Sequence, residues 1–72
     1  MQKSLTKSLK YLSSGDSVKW LQWWLRLWGY SLTIDGSFGS KTRDAVRDVQ
    51  KRRGLKVDGI AGEKTRQALK GY

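Results

Sequence analysis

The phrase DGSFGSKTRDAV, from Asp35 to Val46, returns as DGIAGEKTRQAL, from Asp58 to Leu69, in a chain of only 72 residues. The likeness extends backwards: V-x-x-L-Q at Val18 to Gln22 answers V-x-x-V-Q at Val46 to Gln50, and Gly29-Tyr30 answers Gly54-Leu55. Each copy reads as helix, glycine stop, extended link, Asp-Gly turn and the start of the next helix. One such unit cannot bury its apolar face alone, and two units sharing a middle helix are the smallest set that closes a core. The expected fold is all-α: a compact three-helix domain built from two overlapping helix, loop and Asp-Gly repeats. It occupies residues 9–72, after an N-terminal tail or linker at residues 1–8.

Glycines and periodicity place the helices, because the chain has no proline to do so. In GDSVKWLQWWLRLWGY, Asp16 or Ser17 is expected to cap the first turn and Gly29 to close the last. Val18, Leu21, Gln22, Leu25 and Trp28 fall on one face, the core face. The second helix is expected between Gly39 and Gly54, with Thr42, Ala45, Val46, Val49 and Gln50 inward and Arg43, Asp44, Arg47, Asp48 and Lys51 outward. A shorter third helix after Gly62 turns Thr65, Ala68 and Leu69 inward. The links carry brief apolar runs, Leu32 with Ile34 and Leu55 with Val57, which are expected to form at most a minimal two-stranded pairing.

The repeated polar residues have structural duties that explain their repetition. Asp35 and Asp58 each precede a glycine and can accept amide hydrogens from the turn they begin. A catalytic carboxylate pair is the weaker reading, since the two occupy equivalent positions and neither has a partner base or ligand set. Gln22 and Gln50 lie on apolar faces, where an amide is costly unless paired, so each is expected to tie down backbone of a neighbouring loop. The chain has neither cysteine nor histidine, which excludes disulfides, thiolate zinc sites and imidazole chemistry. A core this small supplies only about 3–5 kcal/mol. No nucleophile with a partnered base, phosphate loop or metal constellation is present, so no catalytic residue, cofactor or metal is expected.

The formal charge of +9 points to an anionic partner. Gln22 and Arg26 break the richest apolar run, WLQWWLRLW, so no membrane span is expected. The N-terminal MQKSLTKSLKYL has no apolar stretch suited to a signal peptide, and a secretion signal would belong to a longer parent. A basic helix, KTRDAVRDVQKRR, raises the alternative of a helix-turn-helix-like nucleic-acid-binding domain. Asp44 and Asp48 interrupt that face and would repel phosphate, and the link before the helix far exceeds a turn of about three or four residues. Nucleic acid is therefore the weaker partner.

Together, GDSVKWLQWWLRLWGY, IDGSFGSKTRDAVRDVQ and GLKVDGIAGEKTRQAL resemble the small three-helix peptidoglycan-binding domain of bacterial and phage cell-wall hydrolases, from about Leu9 to Leu69. Two positions depart from the family pattern: Val49 stands where Phe is usual, and Leu12 where Gly is frequent. The resemblance implies a non-catalytic module that targets a linked amidase, peptidase or glycosidase to peptidoglycan, outside the cell. Anionic wall polymers are a further possible partner, because teichoic phosphates and stem-peptide carboxylates would both attract a positive domain.

Two places suit such a ligand. One combines Tyr30 and Phe38 with the first turn of the second helix, where Lys41 and Arg43 supply cations near the helix N-terminus; the alternative is that Tyr30 and Phe38 plug the core beneath the loop. The competing one is the tryptophan stripe of Trp20, Trp23 and Trp24, a stacking platform for sugar rings. Alternatively Leu5, Leu9 and Leu12 fold back over that stripe, or it serves protein interaction or self-association.

Overall fold

A computed structural model describes residues 9–70 of the chain. Among them run three helices: α1 (Asp16–Leu27), α2 (Ser40–Arg52) and α3 (Glu63–Leu69). The first two end in the same way. Gly29 and Gly54 take left-handed conformations, with φ of 101° and 70°. The amide of Gly29 donates to the Arg26 carbonyl and that of Tyr30 to Leu25, while Gly54 donates to Lys51 and Leu55 to Gln50. This is the paired closure that satisfies orphan carbonyls at a helix C-terminus. The repeat in sequence is thus a repeat in hydrogen bonding.

The start of α1 differs from expectation. Neither Asp16 nor Ser17 caps it; Gly15 occupies that position, and no side-chain hydrogen bond is made there. Gly15 adopts φ 114° and ψ −170°, a region essentially restricted to glycine. Its carbonyl accepts from Val18 and Lys19 while its amide donates to Gly36, so the chain enters the helix one residue early. Asp16 instead sits in the first turn, where its charge favours the positive end of the helix dipole.

Val18, Leu21 and Leu25 from α1 meet Ala45, Val46 and Val49 from α2 and Leu69 from α3, with Phe38, Ala61 and Leu9 completing the core. Ala68 and Trp28, expected inward, are only half-buried. Trp28 lies at the edge because its indole N–H reaches the Leu69 carbonyl at 2.8 Å; a ring with a polar tip settles where that tip finds a partner. Val49 is fully buried, and the largest fully buried side chain is the aromatic Phe38.

The minimal extended pairing exists, but not between the two apolar links. Residues 9–15 form it: Leu9 bridges Ala61 and Ser14 bridges Ser37, both antiparallel. Leu9 and Ala61 exchange amide hydrogen bonds of 3.2 and 2.7 Å, and Leu12 and Ser13 bracket Phe38 at 2.9 Å on each side. The links are held to separate helices by Gln22 and Gln50, which keeps Leu32 and Ile34 from pairing with Leu55 and Val57. Leu12 pays for the turn in this lead-in segment with φ 79°, the left-handed region that disfavours a Cβ.

Candidate functional site

Each glutamine organises one loop. The Gln22 amide nitrogen faces the Asp35 carboxylate at 3.1 Å, the Ser37 carbonyl at 2.9 Å and the Thr42 hydroxyl at 3.1 Å. Its oxygen accepts the amides of Asp35 and Gly36, at 3.1 and 2.9 Å. Gln50 repeats the set, donating towards Asp58, the Ile60 carbonyl and Thr65, and accepting from the Asp58 and Gly59 amides. Buried polar groups are thereby paired in both loops. The Ser37 amide holds the Asp35 carboxyl below its usual range, with help from Gln22; the Ile60 amide does the same for Asp58. These are ionised acceptors occupied by their own turns, which is the chemistry of a brace and not of a proton donor.

The brace fixes the link over the start of α2 and leaves an open groove of about 280 Å³, lined by Tyr30, Ser31, Leu32, Lys41, Asp44 and Ala45. Tyr30 enters it directly after the α1 stop. Its hydroxyl donates to Asp48 at 2.6 Å, Asp48 pairs with Arg52 at 3.4 Å, and the Arg52 guanidinium lies 5.7 Å from the Tyr30 ring centre. Partial burial, then the carboxylate, push the phenol up to about 12. The ring is therefore a neutral wall, fixed in orientation. Lys41 and Asp44 add a cation and an anion from neighbouring positions on one helix face, and the Asp44 carboxylate also lies 3.6 Å from Arg43 Nε.

Of the site residues expected from sequence, this groove unites Tyr30 and Lys41 and leaves out two. Phe38, at 1% exposure, belongs to the core. Arg43 lies against the lead-in segment: its guanidinium stacks 5.3 Å from the Tyr11 ring centre, and its stem packs on Gly59, where an added Cβ would come within 3.2 Å of Cγ. Residues two apart on a helix point to different sides, which separates Arg43 from Lys41. The same rule identifies what sequence reasoning missed, since Asp44 and Ala45 are three and four residues from Lys41.

The tryptophan stripe is open on α1. Trp20 and Trp23 are 36% and 51% exposed and Leu27 is 60% exposed, while Trp24 is half-buried against the core. Trp24 meets Trp20 at 6.3 Å and 64°, and Trp23 at 5.4 Å and 83°, both edge-to-face. Leu9 does not cover this stripe, being committed to Ala61, and Leu12 is itself exposed; Leu5 lies outside the described residues. Among the described residues no group of three or more carboxylates could hold a metal ion, and no helix is long and apolar enough to cross a membrane.

A family model described as "Putative peptidoglycan binding domain" matches residues 14–69. The chain belongs to the peptidoglycan-binding domain family. Solved structures agree: a peptidoglycan-binding protein from Clostridioides difficile, crystallised with glutamine hydroxamate, is 48% identical with a TM-score of 0.87. A fused Zn-dependent amidase/peptidase/peptidoglycan-binding domain-containing protein from Clostridium acetobutylicum is 41% identical, TM-score 0.87. The Burkholderia AP3 phage endolysin is 45% identical, TM-score 0.85. The aligned regions cover 90%, 89% and 90% of this chain, but only 41%, 29% and 25% of those proteins. A comparison with curated proteins found no match. This chain thus spans less than half the length of each of these three proteins. Membership also displaces the nucleic-acid reading, in keeping with a link from Trp28 to Gly39 between α1 and α2 that is far longer than a helix-turn-helix turn.

Proposed function

We propose that this chain is a non-catalytic module that holds a linked wall hydrolase, such as an amidase, peptidase or glycosidase, on peptidoglycan outside the cell. Its folded unit begins at Leu9, with residues 1–8 as a tail or linker. The ligand seats in the groove of Tyr30, Leu32, Lys41, Asp44 and Ala45. The observation that carries this reading is the combination within that groove: apolar surface from Tyr30, Leu32 and Ala45 beside one cation and one anion. Wall stem peptides offer the complement, short apolar side chains together with carboxylates and, in many walls, a free amine. Shape and paired charge favour such a ligand over a featureless polyanion. The net charge of +9 adds attraction to anionic wall polymers, and that part weakens with salt. The tryptophan stripe is the second candidate, with stacking on a sugar ring as its chemistry. Lys41→Ala and, separately, Trp24→Ala test the assignment by sedimentation with insoluble peptidoglycan, each variant first checked for its helical spectrum and melting temperature. Retention should fall roughly tenfold for Lys41→Ala, the scale of one lost charged contact, and much less for Trp24→Ala. Undiminished retention of Lys41→Ala would refute the groove, and selective loss in Trp24→Ala would move the site to the stripe.

A further inference from the structure

The outward face of α1 has a second use that the groove leaves free. Trp20, Trp23 and Leu27 follow one another at helical spacing and are all exposed, so the face joins two indoles to an aliphatic side chain. Cations surround it: Arg26 is exposed on the same helix, Lys70 Nζ lies 6.0 Å from the Trp20 ring centre, and Arg53 stacks 5.0 Å from that of Trp28. Among the described residues, none of these three makes an ion pair. Asp16 lies at the N-terminal end of the same face, which centres the apolar contact on Trp23 and Leu27.

From this arrangement we infer that α1 docks peripherally on an anionic lipid surface, with Trp23 and Leu27 entering the headgroup boundary and Arg26, Lys70 and Arg53 meeting lipid phosphates. Indoles suit that boundary because they join an apolar ring to one polar N–H, and long cationic side chains keep their heads in the polar layer. Each basic residue near such a surface adds to the attraction. The geometry favours lipid over the other occupants. Indole planes crossed at 64° and 83° give no continuous platform for successive sugar rings, and Leu27 adds nothing to sugar stacking. A second copy would bring together two chains of charge +9, which oppose contact between like basic faces.

The test is co-sedimentation of the full chain with vesicles of equimolar phosphatidylglycerol and phosphatidylcholine, beside vesicles of phosphatidylcholine alone. Brominated lipid reports indole depth by quenching. The expected result is binding to the anionic vesicles only, weakened by salt, with tryptophan emission quenched. The double variant Trp23→Gln/Leu27→Gln should lose that binding by at least roughly tenfold while keeping its helical spectrum and melting temperature. Arg26→Gln/Lys70→Gln, which leaves the apolar residues intact, should weaken it as well. Absence of binding to anionic vesicles would overturn the inference, as would equal binding by the tryptophan variant. Loss of peptidoglycan retention in that variant would assign the face to glycan instead. A concentration-dependent dimer abolished by it would assign the face to a second copy.

Discussion

Gln50 shows how much of this fold rests on single side chains. Replacing it with Leu keeps the volume but strands the amides of Asp58 and Gly59, the Ile60 carbonyl and the Thr65 hydroxyl, all of which it now serves. Unpaired buried groups cost about 1–3 kcal/mol each. Two of these four bonds are buried while two are only part-buried, so even at the lower end of that range Gln50→Leu should lose about 2–4 kcal/mol, read as a large fall in the urea midpoint. That is most of the roughly 3–5 kcal/mol such a domain possesses. Gln22→Leu should behave alike, because its partners are equivalent. This role was legible in the sequence: an amide on an apolar helix face demands loop partners. The separation of Arg43 from Lys41 followed from helix geometry too, yet proximity in sequence had grouped them. Phe38 was legible in two ways, as part of the site or as a plug of the core beneath the loop, and its burial, with its backbone paired to Leu12 and Ser13, decides for the core.

At the level of elements, the stops were easier to read than the starts. A glycine after the last periodic residue has one strong structural meaning, whereas the expected side-chain caps of α1, Asp16 and Ser17, were displaced by Gly15, whose amide donates to the Gly36 carbonyl. The lead-in segment was the least legible of all, because its pairing partners, Ala61 and Ser37, are distant in sequence. Its strain is testable. Leu12 has φ 79° and is 78% exposed, so removing its side chain sacrifices little packing and relieves a conformation that costs an L-residue about 1–2 kcal/mol. Glycine's greater freedom in the unfolded chain returns about 0.5–1 kcal/mol of that gain. Leu12→Gly should therefore raise stability by up to about 1 kcal/mol, measured as an upward shift of the urea midpoint at unchanged slope.

For the whole molecule, the paired loops predict a specific response to acid. Asp35 and Asp58 are both held below the usual aspartate value of 3.8, so the folded state binds protons less readily than the unfolded one. Their stabilising contribution is complete above that value and is lost as pH falls below it, through the lower folded values. The melting temperature should hold steady down to about pH 4 and then drop; Asp35→Asn/Asp58→Asn should be less stable at neutral pH and show a flatter acid limb. Tyr30 acts at the other extreme, contributing fully below 10.0 and losing its contribution as pH rises through about 12. Membership of the peptidoglycan-binding domain family implies a domain that holds the wall and does not cut it. The direct measurement is incubation of the purified chain with insoluble peptidoglycan stripped of anionic polymers, followed by assay of pellet and supernatant. The chain should pellet with the wall at physiological salt and release neither glycan nor peptide fragments. A chain that stays in the supernatant, or one that frees soluble fragments, would contradict the account.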